Sequence, residues 1–170
     1  MTDSTRPHDL RVDHLAAPLG IGAERPRLSW KLPVAATVQH AYRIIAGDWD
    51  SHRVKSGQST WVPAGVAPAS RVAVEWKVKV WTDLGESDWS DVSSWEHGLL
   101  DRSDWTAAFM TPDWDEDTTQ SLPCPWLRRE FNLPGEVVSA RLYITALGVY
   151  QAEINGLHVG GDILRPGWTS

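Results

Sequence analysis

Side chains able to do chemistry are plentiful in this 170-residue chain, but their spacing is loose. There are 22 acidic residues. Two carboxylates facing each other across a bond, one of them held protonated, form a general acid–base pair. Here the acids gather in loop-like stretches. Asp113, Asp115, Glu116 and Asp117 form one run, and Glu86, Asp88 and Asp91 another. Both read as solvated loop faces. Calcium binding is the alternative for the first run, which lacks the Gly and the later Glu of an EF-hand loop. The six histidines, His8, His14, His40, His52, His97 and His158, are dispersed, and none pairs at metal-ligand spacing. No G-x-S-x-G elbow presents a nucleophilic serine. Cys124, the single cysteine, lies between two prolines with no adjacent base and reads as a passive thiol. Gly20 and Gly22 begin a G-x-G with no third glycine and no following helix, so a phosphate cradle is not supported. Catalytic residues, metal ligands and cofactors are therefore expected to be none.

Tryptophan is the exceptional residue, at 11 against 3 Tyr and 2 Phe. An indole can fill a core or lie against the apolar face of a sugar ring. Trp30, Trp76 and Trp95 fall on core-facing positions. Trp81 shares a face with Lys77 and Lys79, which predicts that it packs under their stems. Trp89 is expected to cap a sheet edge. Trp114, Trp126 and Trp168 fall in loops or at a terminus, and they are the candidate sugar platforms. Packing against a further part of its domain is the alternative for Trp168.

The elements that must position these residues are strands. Arg71–Trp81 reads RVAVEWKVKVW, with Val72, Val74, Trp76, Val78 and Val80 on one face. That alternation predicts a half-buried antiparallel strand. Shorter strands are predicted at Arg27–Lys31, Ala41–Ala46 and Ser94–Leu99, with turns at Pro18–Gly20, Gly47–Asp50 and Asp83–Gly85. No stretch of ten residues has a helical period. Further along, Leu127–Leu133 and Arg141–Ile154 read as strands, the latter interrupted at Gly148. Asn155–Gly156 between apolar residues signals a type I′ hairpin. The boundary between the two halves falls near Leu100–Asp104, before the polar, proline-containing Thr111–Pro125.

Composition narrows the class. Hydrophobic residues make up 42% and charged residues 22%, as in ordinary globular proteins. The net charge of −6 gives no footprint for nucleic acid. No apolar run reaches the length of a spanning helix, so no membrane partner is expected. Met1–Arg11 is polar and unlike a signal peptide, which predicts a cytoplasmic location.

Four stretches together resemble a known family. They are PLGIGAERPRLSWKL (Pro18–Leu32), AYRIIAGDWDSHRVKSG (Ala41–Gly57), Arg71–Leu99 with its continuation to Leu100, and ARLYITALGVYQAEINGLHVGGDILRPGWT (Ala140–Thr169). Their order and spacing resemble the N-terminal, non-catalytic region of bacterial α-L-rhamnosidases of glycoside hydrolase family 78. The resemblance implies an all-β chain. Residues 10–99 would form a fibronectin type III-like sandwich, and residues 104–170 an incomplete jelly-roll domain related to carbohydrate-binding modules. In that family the catalytic carboxylates lie in an α/α barrel that follows the β-domains, and no residue here matches their motif. Some family β-domains bind sugar with calcium. Leu147-Gly148-Val149, before the hairpin, offers no side-chain oxygen for that role.

The expected function is thus an accessory, non-catalytic piece of an enzyme acting on terminal α-L-rhamnosides. A stand-alone carbohydrate-binding module and a protein-interaction module are the alternatives. An incomplete second domain would expose unpaired edges and an apolar face. The rest of a rhamnosidase, or another chain, is therefore the expected partner, with rhamnose-containing carbohydrate as a possible ligand.

Overall fold

The computed structural model describes residues 5–115, 117, 119–121, 123–161 and 163–167. The chain divides into two units, Met1–Thr106 and Ala107–Ser170. Unit 1 is a β-sandwich. One sheet carries β1 (His8–Val12), β2 (Arg27–Lys31) and β5 (Val62–Pro63) in the order β1-β2-β5. The other runs β4 (Trp49–Asp50), β3 (Gln39–Ala46), β6 (Ala73–Thr82) and β7 (Gly85–Glu86), with β8 (Ser93–Glu96) also paired to β6. All of these strand pairs are antiparallel.

The alternation along β6 is realised as expected. Val74, Trp76, Val78 and Val80 are buried, whereas Val72 lies before the strand and is exposed. The chain enters β6 through Arg71, whose φ of +65° ends the extended run. Across β6, Ile44 pairs with Val78 and Ala46 with Trp76. Val12, Leu28, Trp30 and Val62 from the first sheet join Tyr42, Ile44, Val78, Val80 and Trp95 from the second in one core. Burying an aliphatic side chain of this size stabilises by about 1.5–3 kcal/mol, so register is firmly set by the buried face.

Two polar devices complete the sandwich. Gln39, buried between the indole of Trp30 and the loop ahead of β5, accepts from Trp30 Nε1 at 3.0 Å. Its amide nitrogen donates to the carbonyls of Ser56 and Gln58 at 3.0 and 2.8 Å. The second device lies along β6 between β7 and β8, where the edge chain departs from regular pairing. There the amides of Val80 and Val78 donate to the hydroxyls of Ser87 and Ser90, at 3.1 and 3.0 Å. The amides of Ser87 and Ser90 return bonds to the carbonyls of Val80 and Val78. Serine hydroxyls thus satisfy donors that a straight ladder would have matched with carbonyls.

The chain leaves unit 1 through a 3₁₀ turn, Arg102–Asp104, capped by Asp101. Asp101 accepts from the Ser103 amide at 2.7 Å, and Asp104 accepts from the Asp101 amide at 3.1 Å. Asp104 also accepts from the Ser70 hydroxyl, and Arg71 donates to the Asp104 carbonyl at 2.7 Å. The exit is therefore fastened to the segment just before β6.

Unit 2 differs from expectation. Its only regular strands among the described residues are β9 (Glu153–Ile154) and β10 (Leu157–His158), joined by Asn155–Gly156. Both turn residues have positive φ, 52° and 76°, as a type I′ hairpin requires. Leu127–Leu133 forms no strand, and Arg141–Ile154 contributes β9 and an isolated bridge from Tyr150 to Arg165. An extended run is held only when a neighbouring strand pairs its amides and carbonyls. The described residues supply no such neighbour there. Apolar side chains of this unit are exposed in consequence, among them Trp126 at 91% and Val138 at 96%.

Candidate functional site

The outer face of β3 and β6 carries the densest cluster of charged and aromatic groups. Arg43 lies opposite Lys79, and Ile45 opposite Lys77. Arg43 holds Asp50 with a forked pair of bonds, at 3.0 and 2.5 Å. That guanidinium pulls the Asp50 carboxyl down to about 2. Lys79 and the indole N–H of Trp81 share the Glu86 carboxylate at 2.8 and 2.9 Å, which holds Glu86 below its ordinary value.

The predicted stacking of Trp81 beneath two lysines is corrected. Lys77 and Lys79 lie over Trp89 instead, at 5.1 and 5.2 Å from its ring centre, and Arg43 approaches the same ring at 5.8 Å. Trp81 is stacked by Arg53 at 4.3 Å. Side chains two apart on one strand stand nearly parallel, about 6.6 Å from each other. The loop between β7 and β8 instead brings the Trp89 ring beneath the two lysine ammonium groups.

Carboxyls elsewhere behave in the same direction. Asp9 is lowered by Lys31 and then Arg11, Asp83 by Thr37 and the Val38 amide, Asp101 by Ser103, Asp104 by Ser70, and Asp117 by Thr119. A glycosidase acid needs the opposite, a carboxyl held protonated near neutrality. Every described carboxyl with a displaced pKa is displaced downward, toward structural anions. Glu116 of the predicted acidic run lies outside the described residues. Among the described residues no group of three or more His, Cys, Asp or Glu side chains could hold a metal ion.

Of the candidate sugar platforms, the two described ones, Trp114 and Trp126, make no contact with each other. Trp114 and Trp126 are exposed by 53% and 91%. Among the described residues no hydrogen bond or ring contact joins either to another side chain. Trp168 lies outside the described residues. Trp30, Trp76 and Trp95 are core residues, each at most 3% exposed. Cys124 is a free, exposed thiol.

A different tryptophan stands out at the edge of the β1-β2-β5 sheet. Trp61, just before β5, is 44% exposed and has φ +59°. For a bulky residue that backbone conformation is strained, at a cost on the order of 1–3 kcal/mol. The Trp61 amide donates to Ser29 Oγ at 3.1 Å, and Gln58 Nε2 donates to its carbonyl at 3.3 Å. The Arg27 guanidinium lies 3.6 Å from its ring centre. The His14 ring meets it edge-on at 4.6 Å. Asp13 Oδ1 accepts from both the amide and Nε of Arg27 at 3.2 Å. Nothing in the local pattern Ser59-Thr60-Trp61-Val62 foretells this cluster. Trp61 is distant in sequence from Asp13, His14 and Arg27, and the positive φ is invisible to period and propensity.

Comparison with known proteins bears on these two units. Residues 7–101 match the family model "Rha78A-like, N-terminal immunoglobulin domain", and residues 135–170 match "Alpha-L-rhamnosidase N-terminal domain". An α-L-rhamnosidase of Formosa agariphila is 39% identical over 173 residues, covering 89% of this chain and 19% of that protein. One from Alteromonas sp. is 35% identical, covering 98% of this chain and 21% of that protein. The solved α-L-rhamnosidase of Aspergillus terreus superimposes with a TM-score of 0.72 at 32% identity, over 96% of this chain and 20% of its own. That of Streptomyces avermitilis, solved with L-rhamnose, gives 0.55 at 35% identity over 60% of this chain and 11% of its own. The chain thus spans about a fifth of the length of the curated relatives it matches.

Proposed function

The chain belongs to the family of Rha78A-like N-terminal immunoglobulin domains, and from that premise we propose that it is the accessory, non-catalytic β-region of an α-L-rhamnosidase. The observation that carries this reading is the extent of the match. Nearly the whole chain aligns with α-L-rhamnosidases while covering only about 20% of them. On this reading the full protein cleaves terminal α-L-rhamnosides elsewhere in its sequence, and unit 1 serves as a rigid scaffold.

Exposure of Trp126, Val138, Leu147 and Ile163 supports a further element of the proposal, that the rest of the enzyme or another chain covers unit 2. The exposed rings of Trp114 and Trp126 support contact of this unit with rhamnose-containing carbohydrate, with Trp168 the third candidate. The test is incubation of the purified chain with an aryl α-L-rhamnoside. No release of the aryl group above buffer is expected. Release that scales with the amount of chain would overturn the non-catalytic reading.

A further inference from the structure

We propose that Trp61, Arg27, Asp13 and His14 form a carbohydrate site on unit 1, taking one neutral pyranose whose apolar face meets the part of the indole that Arg27 and His14 leave exposed and whose hydroxyls meet the three polar side chains. The choice of sugar rests on the rhamnosidase reading. The site itself rests on the geometry of unit 1.

Three observations converge. Trp61 sits in the left-handed region at φ +59°, a conformation that bulky side chains rarely adopt. Such strain persists only where surrounding contacts enforce it, and it collects at functional sites. Here Ser29 and Gln58 enforce it, through bonds to the Trp61 amide and carbonyl. Second, the strained backbone turns a large apolar ring outward. Val62 and Ala64 just beyond are buried at 3% and 2%, while Trp61 is 44% exposed. Third, Arg27 and His14 lie against the ring and Asp13 stands beside Arg27, a set of donors and acceptors suited to hydroxyl groups. A guanidinium carries five N–H donors in a fixed fork, a carboxylate only accepts, and a neutral imidazole does one of each.

Charge selects among ligands. Asp13 stands against Arg27 at 3.2 Å, so their opposite charges offset one another within the patch. An anionic ligand would meet the carboxylate along with the guanidinium. A neutral ring bearing hydroxyls on one edge and C–H groups on a face uses every group present.

Indole N–H signals of the intact ¹⁵N-labelled chain provide the test, with Trp61→Phe identifying the Trp61 signal by its loss. Methyl α-L-rhamnopyranoside is titrated to about 100 mM, well above the millimolar range expected for a small ligand. Glycerol serves as the non-ring control. The Trp61 signal should move along a saturating curve with Kd of roughly 1–20 mM. Arg27→Ala and Asp13→Asn should each weaken binding by about tenfold or more. Asn suits the left-handed turn position that Asp13 occupies, so the second variant keeps the fold. A static Trp61 signal, a linear drift matching glycerol, or unchanged binding in Asp13→Asn would overturn the site. Saturation at Trp114 or Trp126 alone would also overturn it and favour unit 2. None of these outcomes alters the turnover assay, so the two readings fail separately.

Discussion

The indole N–H of Trp30 donates to the side-chain oxygen of Gln39 at 3.0 Å, inside the sandwich and out of reach of water. The Gln39 amide nitrogen completes the arrangement on the Ser56 and Gln58 carbonyls, tying the approach to β5 to the core. A buried polar side chain with its partners in place costs little, but removing it strands each partner. Gln39→Leu should therefore destabilise unit 1 by about 2–4 kcal/mol, from one unsatisfied indole donor and two carbonyls at roughly 1–3 kcal/mol each, lessened by the added apolar burial. Urea unfolding followed by tryptophan fluorescence measures it. A loss below about 0.5 kcal/mol would show that the loop satisfies itself without Gln39.

Acid should destabilise unit 1 in two separate windows. His97 is buried and accepts from Trp95 Nε1 at 3.2 Å. Burial pushes the imidazole below its ordinary 6.5, with the Ile21 backbone pulling partly back. Both states are neutral well above 6.5, so His97 brings no penalty there. Below 6.5 the unfolded chain binds the proton first, and stability falls as pH drops toward the folded value. Asp50 has the opposite charge type. Its pairing with Arg43 stabilises fully above the ordinary 3.8 and is lost as pH falls toward about 2. Stability measured against pH should show both declines. His97→Gln keeps an acceptor but cannot titrate, so it should remove the upper decline alone. An unchanged upper decline in that variant would assign it to another group.

Trp89 is expected to contribute through its cations. A double-mutant cycle on Trp89→Leu and Lys77→Met should give a coupling on the order of 0.5–1 kcal/mol, as for partly exposed cation–π pairs. The same cycle between Trp81 and Lys77 should give none, because Arg53 is the cation on Trp81. Thermal unfolding of the four proteins in each cycle decides it. Equal coupling in both cycles would restore the simpler same-face picture.

Unit 1 was legible because its strands bury one face. The alternation from Val74 to Val80, and the runs around Leu28 and Ile44, each mark a side of the sandwich and hence a register. Loop-borne contacts were not legible. The placement of Trp89 beneath Lys77 and Lys79 depends on how serine hydroxyls carry the chain along β6, which no period encodes. Trp61 is a stronger instance, since its strain and its neighbours Asp13, His14 and Arg27 come from other parts of the chain. In the second unit the Asn155–Gly156 turn was readable because type I′ chemistry is local. Leu127–Leu133 carries strand-like residues, but propensity does not supply a partner strand.

The two units should differ in self-sufficiency, because an accessory region depends on the rest of its enzyme where a stand-alone module would not. Hydrogen exchange on the isolated chain, with its monomeric state checked by sedimentation, measures this directly. Strong protection is expected for amides of β2, β3 and β6, and near-unprotected exchange across residues 126–147. Equal protection of both stretches in a monomer would contradict it.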